Sequence, residues 1–443
     1  MAKKKQIELT IEEKLQNALV PKEEQPYKIP SNWCWTYIHN IAIVVTGKTP
    51  SKKNKEYYGG KFPFFKPADL DAGGNIQYAT EYLSEKGKSI SVIIPEKATG
   101  ICCIGTIGKC GYFLVEGTTN QQINTVISKI NPLYSYYFFN TNSFVRELIS
   151  KASATTIAIV NKSKLESCLF PVAPLNEQQR IVNRIESLFV KLDRAKELIE
   201  NTLAQFEQNK MAILHKAFTG ELTAKWRKEN NIDLSSWKKC ELKEVFKVVK
   251  DKYNPQTENQ IVNYIGLENI ETSKGIISKN NSSEVKSIKT KFKKDDVLYG
   301  KLRPYLNKHD VVNFDGICST DILVFRFNDI NTAKYINYYF NLPMFIQYAV
   351  ENSSGINLPR VSEKTISKYK ISLPTLEEQQ EIVNILDNLL AKYNKIKNLE
   401  QQLEKIELLK KAILAKAFRG ELGTNNPDEE SAENLLKEIL AEK

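Results

Sequence analysis

The chain has 443 residues, 42% hydrophobic and 10% aromatic, with 63 Lys and Arg against 52 Asp and Glu. That length predicts about three domains rather than one small binding module, and the apolar content excludes a largely disordered chain. The net charge of +11 favours a polyanionic partner, nucleic acid before membrane. No apolar run approaches the ~18 residues of a transmembrane helix, so no membrane partner is expected. Met1-Ala2-Lys3-Lys4-Lys5 leads into mixed charge rather than the apolar core of a signal peptide, and the seven Cys form no regular framework. Both features predict a reducing, cytoplasmic location.

In chain order, residues 1–29 read as a helical segment and residues 30–175 as an α/β domain. Within that domain, Ile41-Ala42-Ile43-Val44-Val45 and Ser91-Val92-Ile93-Ile94 are short apolar runs bounded by turn formers and predict strands. An aromatic helix is predicted from Leu133 to Ser150, with Asn131 as its cap and Pro132 at its first position. Residues 176–230 carry a long helix, Pro-free from Glu177 to Leu222. Its apolar seam runs through Ile181, Ile185, Leu188, Leu192, Ala195, Ile199, Thr202 and Phe206. Gly220 is expected to end the helix and to leave the junction after Leu222 open to extra residues. Residues 231–375 form a second α/β domain, with a turn at Asp295-Asp296, a strand at Ile322-Leu323-Val324-Phe325 and an aromatic helix from Ala333 to Glu351. Residues 376–443 carry a second long helix, Pro-free from Glu377 to Leu422. Its seam runs through Ile382, Ile385, Leu389, Tyr393, Ile396, Leu399, Leu403, Ile406 and Ile413. Each helix would span roughly 65–70 Å at ~1.5 Å per residue. A seam of this kind needs a partner helix, and the economical partner for each is the other, as an antiparallel coiled coil.

The halves are copies of one unit. Leu175-Asn176-Glu177-Gln178-Gln179-Arg180-Ile181-Val182-Asn183 recurs as Leu376-Glu377-Glu378-Gln379-Gln380-Glu381-Ile382-Val383-Asn384. Tyr137-Phe138-Phe139-Asn140 recurs as Tyr338-Tyr339-Phe340-Asn341, and Phe218-Thr219-Gly220-Glu221-Leu222 as Phe418-Arg419-Gly420-Glu421-Leu422. Each half also opens on a Trp, Trp33 and Trp237, ahead of a short apolar segment. The fold class is therefore α/β: two α/β domains separated by two long antiparallel helices, with an internal pseudo-twofold repeat.

On these motifs the chain resembles the specificity subunits of type I restriction–modification systems. The resemblance is also carried by Ala18-Leu19-Val20-Pro21, Pro26-Tyr27-Lys28-Ile29-Pro30, Thr46-Gly47-Lys48-Thr49-Pro50 and Gly300-Lys301-Leu302-Arg303-Pro304-Tyr305-Leu306, and it covers essentially the whole chain. It implies two target-recognition domains, each reading half of a bipartite double-stranded DNA site. It implies helices that bind two modification subunits, which carry the methyltransferase chemistry, and restriction subunits that complete an ATP-dependent nuclease. S-adenosylmethionine, ATP and Mg are then expected on the partner subunits and no cofactor in this chain. The second domain departs from the pattern: Lys250-Asp251-Lys252-Tyr253-Asn254-Pro255 stands where the first has Thr-Gly-Lys-Thr-Pro.

Enzyme chemistry is weakly represented. Asn131-Pro132-Leu133-Tyr134 is similar to the Asn-Pro-Pro-Tyr motif of amino-methyltransferases, but its third residue differs and no Gly-rich cofactor loop precedes it. Gly105-Thr106-Ile107-Gly108 reads as a turn between strands. Glu284-Val285-Lys286 is a common triplet, not a carboxylate cluster. Cys102, Cys103 and Cys110 lack Cys or His partners at zinc spacing and read as inert thiols. No catalytic or metal-binding residue is expected. Two rivals to a non-catalytic DNA reader are a self-sufficient DNA methyltransferase, which would bind cofactor alone, and a coiled-coil adaptor, whose DNA binding would be sequence-blind.

The candidate DNA-binding residues lie in loops. Lys48, Thr49, Ser51, Lys52, Lys53 and Lys55 form a Gly-led basic segment suited to phosphate. Asn120, Gln121, Gln122 and Asn124 are amides that can read adenine. In the second domain Lys301, Arg303, Tyr305 and Lys308 alternate through a strand and turn, with Arg303 able to donate twice to guanine. Asn352, Asn357 and Arg360 lie in a loop at the matching end.

Overall fold

In the computed structural model, residues 9–153, 158–258, 260–272 and 274–442 are described, without the side chains of 284, 390 and 392–398. Met1 to Lys5, Glu284 of the Glu-Val-Lys triplet, and Tyr393 and Ile396 of the seam thus lie outside the described residues. The sequence repeat is a structural repeat. In each domain an opening strand pairs antiparallel with the closing one: Cys34–Tyr37 with Leu169–Val172, and Lys238–Glu241 with Lys370–Leu373. Each domain then builds a four-stranded sheet of one order. In the first the order is Ala42–Thr46, Ile123–Ser128, Thr99–Cys102, Cys110–Tyr112. In the second it is Lys247–Val248, Ile322–Arg326, Val297–Gly300, His309–Val311. Outside this frame the domains diverge. The first adds a three-stranded sheet around Tyr58–Phe65, the second a five-stranded sheet that includes Lys252–Tyr253 and Lys289–Phe292.

Asn131 caps its helix as expected, with Pro132 at the first position. The predicted aromatic helix is, however, two helices, Pro132–Phe139 and Asn142–Ser150. Thr141 makes the break: its hydroxyl donates to the Phe138 carbonyl and accepts from the Phe144 amide. The second aromatic helix is likewise split, into Ile330–Tyr339 and Pro343–Glu351, because Pro343 has no amide hydrogen to continue the ladder. Ser91–Ile94 is not a strand. Only Ile94 pairs, in one bridge with Gly117, while the Val92 carbonyl is taken by the Thr118 hydroxyl and Pro95 follows.

The long helices run over Leu175–Thr219 and Leu376–Ala417. Two compact units result: residues up to 198 together with those from 401 onward, and residues 199–400. Each unit contains an antiparallel helix pair. In the first, Lys196 meets Glu407 at 3.3 Å and Lys410 meets Asp193 at 2.5 Å, and Ile181, Val182 and Ile185 share a core with Leu414, Ala417 and Phe418. In the second, Leu214 and Ala217 share a core with Ile382, Val383 and Leu386. The repeated Phe closes each unit on its aromatic helix: Phe418 lies 4.9 Å from Tyr134, and Phe218 4.9 Å from Tyr339.

The Glu-Gln-Gln box fastens each domain to its helix. Glu177 is fully buried and accepts from Trp33 Nε1 at 2.7 Å, Asn425 Nδ2 at 2.9 Å and Thr424 Oγ1 at 3.3 Å. Glu378, equally buried, accepts from Trp237 Nε1 at 2.8 Å and Thr223 Oγ1 at 2.6 Å, and pairs with the Arg227 guanidinium. The next residue bonds the end of the domain: Gln178 Nε2 donates to Ala173 O and Gln379 Nε2 to Pro374 O, both at 2.8 Å. These contacts overturn the expectation that the junction after Leu222 tolerates insertion. Thr223 is buried on Glu378, Arg227 also donates to the Gly220 carbonyl, and Gly220 sits at φ +83° with no room for a side chain beside Leu234.

The second unit also buries an imidazole. His309 contacts Asn337 Oδ1 at 2.7 Å and Asn307 Nδ2 at 3.1 Å and stacks near Tyr299. Burial lowers its pKa from 6.5 to about 4. The unfolded chain therefore takes up this proton first, so the stability of the second unit is full above about pH 6.5 and falls as pH drops toward 4. The loss is on the order of 3 kcal/mol. Urea denaturation across that range should show a slope that His309→Gln removes; an unchanged slope would place the titration elsewhere. Among the described residues no helix is long and apolar enough to cross a membrane.

Candidate nucleic-acid interface

Two patches that are distant in sequence form one surface at the end of the first domain. After Ala42–Thr46 the chain turns at Gly47, whose amide donates to Ile123 O at 3.1 Å, while the Lys48 amide donates to Thr119 O at 2.9 Å. A Cβ on Gly47 would lie 2.2 Å from Asn120 O, so only glycine lets the basic loop close on the amide turn. The Thr49 hydroxyl bonds the Gln121 side chain. Lys48, Ser51, Lys52, Lys53 and Lys55 are exposed. The amides divide into two roles. Asn120 is buried and exchanges hydrogen bonds with Gln122, and Asn124 is buried on the Thr46 hydroxyl, so both hold the turn. Gln121 is exposed, its side-chain oxygen accepting from the Thr49 hydroxyl, and Gln122 is half-buried with its side-chain nitrogen left to a ligand.

The surface continues through the Gly105–Gly108 turn. Cys103 N donates to Gln122 O at 2.8 Å, Val160 N donates to Cys103 O at 2.9 Å, and Ser153 N donates to Ile159 O at 3.1 Å. Cys102, Cys103 and Cys110 are buried, and burial pushes the Cys103 thiol up to about 11. They remain protonated packing groups. Among the described residues no cluster of three or more His, Cys, Asp or Glu is placed to hold a metal ion. Asn131 is occupied as a helix cap, and Tyr134 is buried with its hydroxyl on Pro171 O. The Asn-Pro-Leu-Tyr segment is thus a structural corner.

The second domain repeats the same hydrogen bonds with different side chains. Lys301 N donates to Asp321 O at 2.9 Å, Val361 N to Lys301 O at 3.0 Å, and Arg303 N to Pro359 O at 2.7 Å. Lys301 thus stands where Cys103 stands, Asp321 where Gln122 stands, and Arg360 where Ile159 stands. Arg303 is exposed at φ +52°, and Tyr305, Asn352 and Asn357 are exposed. Two predicted contacts are already engaged within the domain. Lys308 Nζ donates to Leu267 O at 2.7 Å, and Arg360 pairs with Asp321, Nε to Oδ1 at 3.0 Å and Nη2 to Oδ2 at 3.4 Å. Where the first domain has its basic loop, the second runs into a sheet: Lys252 and Tyr253 pair with Thr290 and Lys289. Residue type did not reveal this correspondence; the register of the repeat did.

The profile of the type I restriction modification DNA specificity domain matches residues 30–207 and, a second time, residues 235–408. The chain belongs to the type I restriction–modification specificity subunit family. It is 25% identical to the EcoDI specificity subunit of Escherichia coli over 94% of this chain and 96% of that one. It is 24% identical to the MjaIX specificity subunit of Methanocaldococcus jannaschii, over 90% and 96% of the two chains. Its fold is that of the HsdS subunit from Thermoanaerobacter tengcongensis, with a TM-score of 0.56 at 19% identity over 90% of this chain and 99% of that one. A chain from a structure described as the basis of type I R-M complex assembly and conformational transition has a TM-score of 0.69 at 19% identity, over 89% and 100% of the two chains. In this specificity subunit the matched segments each contain one domain, its Glu-Gln-Gln box and most of one long helix.

Proposed function

We propose that this specificity subunit is a non-catalytic reader of a bipartite duplex-DNA target. The first domain reads one half-site through the Lys48–Lys53 loop and Gln121-Gln122. The second reads the other through Lys301, Arg303, Tyr305 and Asn357. The long helices set the gap and dock two methyltransferase subunits, restriction subunits join that assembly, and S-adenosylmethionine, ATP and Mg belong to those partners. One observation carries this reading: the same backbone hydrogen bonds recur in both domains while the side chains they present differ, Gln122 against Asp321 and Cys103 against Lys301. A duplicated frame with divergent contact residues suits two different base sequences.

The test is methylation of a randomised site library by the subunit with its partner methyltransferase. Exchanging residues 30–173 for the domain of another family member should change one half-site and leave the other intact. Lys52→Ala with Lys53→Ala should weaken binding to all sequences alike and reduce the salt slope by up to about 2, at ~0.9 per phosphate contact. Change in both half-sites, or methyl transfer by the chain alone, would count against the reading.

A further inference from the structure

The segment Ser354–Arg360 is a hairpin loop closed at its base by a single antiparallel bridge, Ser354 N to Arg360 O at 2.9 Å and Arg360 N to Ser354 O at 2.8 Å, with Gly355 beside the bridge at φ +104°. Its tip residue, Ile356, is 100% exposed. Leu358 beside it is 45% exposed, and Tyr305, on the turn joined to the hairpin by the Arg303–Pro359 bond, is 53% exposed. A single apolar side chain in solvent is ordinary, but Ile356 and Leu358 exposed on one short loop, with Tyr305 exposed on the turn bonded to it, call for a ligand. The ligand's character is set by the neighbours. Lys301 and the exposed Arg303 flank the hairpin base, and the Arg360–Asp321 pair stiffens it. An apolar tip on a cationic base matches an anionic polymer that also carries apolar groups.

Chemistry and width select the groove. The major groove of B-DNA is ~12 Å wide against ~6 Å for the minor groove, and it alone presents a methyl group on a base edge. Among the base edges in the major groove, the apolar feature is the C5-methyl of thymine. We propose that the Ser354–Arg360 hairpin enters the major groove of the half-site read by the second domain, where Ile356 packs on a thymine C5-methyl and so selects an A·T pair. This inference rests on the DNA-reading role proposed above. It assigns specificity to a residue that hydrogen-bonding rules pass over, since Ile356 has no polar side-chain atom.

The experiment uses the full chain with its partner methyltransferase subunits and the duplex site they methylate. Each thymine of the site is replaced in turn by deoxyuridine, which removes only the methyl group. One position in the second domain's half-site should weaken binding about four-fold, the effect of one buried methyl. Ile356→Ala should bind the natural site several-fold more weakly and lose its sensitivity to that deoxyuridine. Ile356→Val, which keeps a branched apolar tip, should retain the sensitivity. If no deoxyuridine in that half-site matters, or if the sensitivity survives in Ile356→Ala, the assignment is wrong. It is also wrong if Ile356→Ala weakens only the docking of methyltransferase subunits, since the tip would then be a protein contact. Failure of the wild-type complex to prefer its site over a scrambled duplex would instead overturn the DNA-reading role itself.

Discussion

Replacing Glu378 by Ala is expected to destabilise the second unit by about 3–5 kcal/mol, the usual result of removing one partner from a buried ion pair. Arg227 has a side chain only 8% exposed and would be left with a buried charge facing just the Gly220 carbonyl and the Thr223 hydroxyl. Trp237 Nε1 would lose its acceptor in the same change. For a unit of this size the loss corresponds to a fall in Tm of roughly 10 °C, read by calorimetry or by protease cleavage within residues 199–400. Glu378→Gln keeps the shape but not the charge, and should still be clearly destabilising because Arg227 stays unneutralised. The equivalent change in the first unit separates charge from geometry. The hydrogen-bond partners of Glu177 are the neutral side chains Trp33, Thr424 and Asn425, so Glu177→Gln should cost less than Glu378→Gln. Equal losses for the two Gln variants would show that Arg227 contributes through packing rather than through its charge.

The second large effect concerns the long helices. If they set the gap between half-sites, four helix-forming residues inserted after Glu200 and four after Glu400 should lengthen the gap recognised by one to two base pairs. Four residues add about 6 Å and just over one turn, against ~3.4 Å per base pair. Both helices must be extended together, because they pair antiparallel and a single insertion would break the register in which Lys196 meets Glu407. Insertion of two residues in each turns the chain by about 200° and should abolish methylation at every gap. Insertion after Leu222 is a different experiment: it separates Gly220 from Thr223 and Arg227, and should unfold the junction rather than lengthen the ruler. The measurement is methylation of duplexes with graded gaps. A four-residue variant that keeps the original gap, or a two-residue variant with full activity, would show that the helices do not set the spacing.

Periodicity and duplication alone determined much of this protein: two α/β domains, two long helices with an apolar seam, and Gly220 and Gly420 at the ends of those helices, both with positive φ. Such features are legible because they depend on local chain geometry and on patterns that recur along the sequence. The breaks at Thr141 and Pro343 were locally encoded too, but the run of aromatic residues around them imitates one continuous helix. Only the tertiary structure decided what the repeated boxes do. Glu177 and Glu378 resemble any surface carboxylate at the start of a helix until Trp33 and Trp237 arrive from more than a hundred residues away and bury them. Likewise residue type does not separate Lys308 and Arg360 from Lys52 and Arg303. The Leu267 carbonyl and the Asp321 carboxylate, brought close by the folded chain, take up the first pair and leave the second facing solvent. Whether a charged side chain is free for a ligand depends on which partners folding places within ~3 Å of it, and those partners come from elsewhere in the chain.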